Sequence, residues 1–337
     1  MRYTTLGRSG LKVSRLILGT MNFGDYTSQE ESFRIMDRAI DAGINCFDTA
    51  DFYGRPLGIG GTETVVGNWI AQGDKREKIV LATKIYATMG PGVNDRGLSA
   101  YHVRRATQDC LKRLHTDHID LLQMHHIDRG VRSIPELGNI GLTKEWELDG
   151  SRFDTPWEEI AESFGLLKQA GDISYVGTCN MPAWQLTRGN MTMQKLGQLG
   201  IVSEQSIYNL VNRNIELEVL PAAKAQGIGM IIWSPLGSGV LAGKPTSSGG
   251  RRTVTSVSPQ QQAYEKLCAE YNMKPAEVAL AWLLTRDGVT APIIGPRTIE
   301  QLESALNAIE LQLPNEMLLK LDGIFAPVGE APEAYAW

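Results

Sequence analysis

Short apolar runs alternate with longer amphipathic segments along most of this chain. The opening YTTLGRSGLKVS reads as a short hairpin, with Gly7 to Gly10 supplying the turn. Strand-like runs follow at 16–19, 45–48, 79–84, 119–124, 175–178, 202–205, 230–233 and 292–295. Between them, segments such as 30–42, 62–71, 100–114, 157–170, 217–225 and 275–286 carry apolar residues at helical spacing. Eight buried strands separated by helices predict a (β/α)8 TIM barrel, because each parallel crossover must cover the sheet's outer face. An open doubly wound sheet is the rival architecture. Its glycine fingerprint after the first strand is missing: that turn reads GTMNFG, and Gly237, Gly239 and Gly243 come late and at the wrong spacing. Two long loops interrupt the alternation, 127–155 after the fourth strand and 236–257 after the seventh. Loops of that length in a compact domain are usually functional or mobile. No linker composition divides the chain, so one domain is expected over 1–337.

Composition narrows the function classes. With 42% hydrophobic and 21% charged residues, the 337-residue chain can bury a sizeable core. A net charge of -5 argues against an extended nucleic-acid footprint while leaving room for a local phosphate pocket. Cys46, Cys110, Cys179 and Cys268 lie far apart and form neither a zinc knuckle nor a disulfide scaffold. They read as reduced thiols in a cytoplasmic protein. No apolar leader opens the sequence, and no apolar run approaches the ~18 residues of a membrane span. The oligomeric state stays open, a homo-oligomer included.

Candidate chemistry sits where strands end, the face on which barrel enzymes build their sites. The second strand runs into NCFDTADFYG, with Asp48 and then Tyr53; the third ends at Lys84 and the fourth at His125. An ordinary phenol is a weak acid at neutral pH. A neighbouring ammonium stabilises the phenolate and is expected to lower the tyrosine pKa. Asp48 can pair with Lys84 and limit the cost of burying it. His125 can hydrogen-bond a substrate oxygen. Such a set polarises a carbonyl and protonates the alkoxide as hydride reaches carbon. Taken singly, each residue reads as blandly as a turn aspartate, a rim aromatic or a solvated charge; joint placement on adjacent strand ends favours the catalytic reading. His125–His126 could instead be metal ligands, but the five histidines supply too few partners, so no metal is expected. As neighbours in a strand the two rings should point to opposite faces. His102, His115 and His118, on or beside the third helix, read as surface residues.

The succession GTMNFG, DTADFYG, LATK, DLLQMHHID, YVGTCN, EQSIYN, WSPLGSGVLAGK and IIGPRTIEQL resembles the aldo-keto reductase family over essentially the whole chain. That resemblance implies Asp48, Tyr53, Lys84 and His125 as a catalytic tetrad, and NADPH as the cofactor. It implies a small carbonyl substrate, either an aldehyde, a ketone or a keto-sugar. It also implies Gly19, Thr20 and Met21 beside the nicotinamide, with Cys179, Asn180 and Gln205 holding its carboxamide. Either Tyr208 or Trp233 would stack on the ring. Ser234, Pro235, Leu236, Gly237, Ser238 and Lys244 would wrap the pyrophosphate. From the residues alone, Arg251 and Arg252 read either as solvated charges or with one of them, Arg252 by preference, closing over the cofactor phosphate. Gly295, Arg297 and Gln301 would meet the 2′-phosphate.

The chain departs from the family pattern at Cys179, where serine is common, and at Ser304 and Ala305, where adenine-reading residues are common. The first departure shifts the amide contact towards Asn180. Two other readings accompany the reductase. One is a reductase of conjugated keto nucleotide-sugars in secondary metabolism, for which the 127–155 segment leaves room. The other is a regulatory subunit with incidental turnover, like the family's potassium-channel β-subunit branch. That branch has an amide where this chain has His125.

Overall fold

The computed structural model describes residues 1–54, 57–127, 155–243 and 257–336. Strands β1 (Tyr3–Thr5) and β2 (Lys12–Ser14) form the antiparallel N-terminal hairpin. Eight parallel strands then close into a barrel: β3 (Ile17–Gly19), β4 (Cys46–Asp48), β5 (Val80–Ile85), β6 (Ile119–Met124), β7 (Ile173–Cys179), β8 (Ile201–Ile207), β9 (Gly229–Trp233) and β10 (Val289–Ile294), with β10 returning to β3. The eight strand regions read from the pattern are all present. The main difference is the last, which begins earlier and ends before Gly295.

Helices α1 (Gln29–Asp41), α2 (Gly61–Ile70), α3 (Ala100–Leu114), α4 (Trp157–Ala170), α5 (Ala183–Lys195), α6 (Val219–Ala225), α7 (Pro259–Glu270), α8 (Pro275–Thr285) and α9 (Ile299–Asn307) connect the strands or follow them. Helices α10 (Asn315–Ile324) and α11 (Glu333–Ala336) complete the described chain. Local chemistry sets several helix starts. Ser28, Ser99, Ser258 and Thr298 each accept a backbone N–H from the first turn of α1, α3, α7 and α9, satisfying a donor that the helix itself cannot.

Strand alternation divides the buried residues into two layers. Leu18, Phe47, Leu81, Leu122, Met124, Val176, Met230 and Ile232 pack outward against the helices. Their neighbours Ile17, Cys46, Val80, Ala82, Leu121, Ile231 and Ala291 face inward and form a second cluster with Leu6 and Val13 of the hairpin. Two residues further along, the inward series becomes polar: Cys46 gives way to Asp48, Ala82 to Lys84 and Leu121 to Gln123. The barrel interior is therefore apolar at the hairpin end and polar at the C-terminal end of the strands. That gradient positions the site.

Candidate active site

Asp48 closes β4, Lys84 lies one residue from the end of β5, and His125 follows β6. The Lys84 ammonium is fully buried and donates to Asp48 Oδ2 at 2.5 Å, to the Thr49 carbonyl at 2.9 Å and to Tyr53 Oη at 3.4 Å. The Tyr53 and His125 rings meet edge to face with centroids 5.8 Å apart, and Phe52 borders both. The structure thus brings together all four residues expected at the strand ends.

Electrostatics departs from the expectation at Tyr53. Burial pushes its phenol up to about 12; Lys84 opposes the rise, and the Asp48 charge adds to it. The ammonium therefore moderates the shift without reversing it. Burial works against the Lys84 charge, yet the Asp48 carboxylate beside it holds its pKa above the ordinary lysine value. Burial, Lys84 and His126 depress the His125 pKa far below the usual range, so its imidazole is neutral. Its Nδ1 is buried without a hydrogen-bond partner among the described residues.

Two layers of support escaped the sequence reading. Asp48 Oδ1 accepts from Gln123 Nε2 at 3.0 Å and from Gln205 Nε2 at 2.8 Å, and Gln205 Nε2 also donates to Gln123 Oε1. Gln205, expected at the nicotinamide carboxamide, is thereby engaged with the aspartate through its amide nitrogen. Beside the tetrad, Glu63 of α2 accepts from Thr83 and pairs with Arg113 at 2.7 Å. Burial and the Glu63 charge push the neighbouring Asp51 carboxyl well above its usual range. Gln123 was detectable in principle as a polar residue at an inward position of a strand.

The histidine expectations need correction. His125 and His126 do not diverge: their rings stack at 5.3 Å with an interplanar angle of 3°, because β6 ends at Met124 and both residues lie beyond its alternation. His102 is buried, 3% exposed, in α3 and is no surface residue.

Around this centre, the Thr20 N–H and hydroxyl both reach the Asp48 carbonyl at 3.0 Å, tying β3 to β4 at the site, with Gly19 buried and Met21 exposed. Asn180, in the left-handed region at φ 58°, accepts from Trp233 Nε1 at 2.9 Å and donates to the Cys179 thiol at 3.1 Å and the His125 carbonyl at 3.4 Å. Trp233 therefore borders the tetrad region. Tyr208 does not: its hydroxyl donates to Glu216, and its ring packs 5.2 Å from Trp282. Burial of the Cys179 thiol raises its pKa well above the usual range, so it acts as a small neutral group.

Beyond Trp233, Ser234, Gly237, Ser238 and Gly239 all take positive φ. Pro235 is buried, Leu236 half-buried, and the Ser238 N–H donates to the Ser234 hydroxyl. Gly295 is exposed past β10. The Arg297 guanidinium lies 4.6 Å from the Tyr26 ring centre, and the Arg297 N–H donates to Gln301 Oε1. Ser304 donates to Glu277 of α8 and Ala305 is buried, so both serve helix packing. Lys244 and Arg252 lie outside the described residues.

Among the described residues no three His, Cys, Asp or Glu side chains are grouped to hold a metal, and no helix is long and apolar enough to cross a membrane. Residues 15–326 match a family model described as "Aldo/keto reductase family". The chain is 46% identical to "Uncharacterized oxidoreductase YrpG" of Bacillus subtilis (strain 168), over 100% of both proteins. It is 31% identical to "Protein tas" of Escherichia coli (strain K12), over 96% of this chain and 97% of that one. It is also 31% identical to "Probable voltage-gated potassium channel subunit beta" of Arabidopsis thaliana, over 99% and 100%.

Proposed function

The chain belongs to the aldo/keto reductase family of oxidoreductases, and from that premise we propose that it reduces the carbonyl of an aldehyde, ketone or keto-sugar with NADPH, Tyr53 delivering the proton. The observation that carries this reading is the buried Lys84 ammonium, bonded at once to Asp48 and to the Tyr53 hydroxyl. A phenol raised to about 12 is protonated at neutral pH and holds its proton until a stronger base forms beside it.

The residues present suit a dinucleotide. Ser234, Gly237, Ser238 and Gly239 take positive φ, a backbone habit found where successive N–H groups receive phosphate oxygens, and a Cβ on Gly239 would meet open space. Trp233 supplies the aromatic face near the tetrad, Asn180 the amide, and Arg297 with Gln301 the polar end suited to a 2′-phosphate. When bound, NADPH would supply the hydride that converts the carbonyl to an alkoxide. Tyr53 Oη passes its proton to that alkoxide oxygen, and Lys84 stabilises the phenolate left behind. Asp48 keeps the ammonium fixed, with Gln123 and Gln205 satisfying its second oxygen. Neutral His125 orients the carbonyl oxygen without competing for the proton.

The test follows NADPH absorbance with a panel of aldehydes and ketones. Wild type should turn over, and Tyr53→Phe should lose on the order of 10²-fold or more in kcat with NADPH affinity retained. Wild-type turnover in Tyr53→Phe defeats the proton assignment. No turnover with any substrate would favour the regulatory-subunit reading that the channel-subunit relative suggests.

A further inference from the structure

Glu204 carries a carboxylate that the mechanism above does not use. It lies in β8, fully buried, paired in register with Thr178 of β7. Its neighbour Gln205 points into the barrel towards Asp48, so alternation turns Glu204 to the opposite face of the sheet. Among the described residues no ion pair involves it. Three donors converge on it instead: the Thr178 hydroxyl at 2.5 Å, the Ser206 hydroxyl at 2.7 Å and the Met181 backbone N–H at 3.1 Å. Burial pushes this carboxyl up to about 7, with the Thr178, Ser206 and Met181 hydrogen bonds opposing.

An acid buried without a cation is costly, and apolar residues fill such positions more cheaply. What it holds is specific. Thr178 and Met181 bracket Asn180, the left-handed residue whose amide bridges the Trp233 indole and the His125 carbonyl. The carboxylate thus fastens both ends of the turn that presents Asn180 to the site.

We propose that Glu204 is a positioning residue for the nicotinamide half of the cofactor: by fixing the 178–181 turn it sets the Asn180–Trp233 and Asn180–His125 links in the shape that receives the ring. The proposal rests on the cofactor reading above. It separates the two halves of the cofactor, because this turn closes β7 whereas Arg297 and Gln301 follow β10, three strands further round the barrel.

The experiment titrates NADPH and 2′,5′-ADP, the phosphorylated adenosine half alone, into purified protein by calorimetry. In Glu204→Leu and in Asn180→Gly the NADPH Kd should rise about tenfold, while the 2′,5′-ADP Kd stays at the wild-type value. Glu204→Gln keeps the shape and one acceptor oxygen, and should stay within about threefold for both ligands. The double variant Glu204→Leu/Asn180→Gly should bind NADPH no more weakly than either single variant. Unchanged NADPH affinity in Glu204→Leu, equal weakening of both ligands, or additive losses in the double variant would each overturn the proposal. Should Glu204→Leu lack a cooperative melt, Thr178→Val and Ser206→Ala replace it. Each removes one donor and should raise only the NADPH Kd, about threefold; no change in both overturns the idea. Wild-type protein that binds neither ligand overturns the cofactor reading together with this proposal, whereas binding of both with an unaffected Leu variant overturns this proposal alone.

Discussion

At Tyr53 two effects of opposite sign meet, and their balance sets the pH dependence. Burial raises the phenol and Lys84 pulls it back, leaving it at about 12. The donor form, the protonated phenol, therefore persists through neutral and mildly alkaline pH, and reduction should fall only as pH climbs towards that value. His125 is depressed far below neutrality, so it stays uncharged and contributes no acid limb near its ordinary pKa. The kcat for reduction should thus be flat from about pH 6 to 9. A limb near pH 6.5 that disappears in His125→Gln would refute the neutral-imidazole assignment. Lys84→Met removes the pull that favours phenolate, raising the phenol further, and should cost about 10²-fold or more in kcat. Asp48, Tyr53, Lys84 and His125 were legible in the sequence because strand ends announce themselves as apolar runs that stop at polar residues. Gln123 stands inside such a run, set apart only by being polar at an inward position. The net direction of the Tyr53 shift was hidden, since burial depends on Phe52 and the stacked histidines closing around it. Spacing alone could not show that Trp233 reaches Asn180 beside the tetrad while Tyr208, just past β8, turns to Glu216 and Trp282.

Among the elements, legibility followed how apolar the buried face is. Helix α3 buries Val103, Ala106, Cys110, Leu111 and Leu114, a clear helical stripe. Helix α5 is absent from the segments read by pattern, because what it buries is Gln185, Gly189 and Asn190 beside Leu186 and Met193. Its packing is largely polar: Asn190 accepts from Arg8 and from the Ile201 N–H, and Gln185 accepts from the Trp157 indole. A hydrophobic count cannot see such a face. A second feature invisible to patterning is the contact between α2 and α3 at Gly67. A Cβ there would sit 2.1 Å from the Arg113 carbonyl and 2.9 Å from Leu114, so the helices must separate to admit it. The same Arg113 pairs with Glu63 next to Asp51. Although alanine is the better helix former by about 1 kcal/mol, Gly67→Ala should lower stability by roughly 1–3 kcal/mol. Urea denaturation checks this, and an unchanged or raised midpoint would mean the two helices part without cost.

Across the whole molecule, the two ends of the barrel divide stability from chemistry. The hairpin packs against the end where strands begin: Leu6 and Val13, both fully buried, join Cys46 and Val80, the first residues of β4 and β5. Gly7 needs its positive φ there, and a Cβ on it would lie 2.4 Å from the Val202 carbonyl and 2.7 Å from the Gly229 nitrogen. The Arg8 N–H fastens the turn to the Gly227 carbonyl at 2.7 Å. Asp48, Lys84 and Gln123 lie further along those same inward rows, so the hairpin seals the barrel without touching the residues that would react. Leu6→Ala should therefore leave a cavity that the surrounding strands cannot close, costing about 2–5 kcal/mol. It should leave kcat and KM near wild type at temperatures where the protein remains folded. Paired measurement of the urea midpoint and of carbonyl reduction distinguishes this from a coupled barrel. If activity falls with the folded fraction held constant, strain at the strand starts reaches the polar end, and the two ends do not act independently.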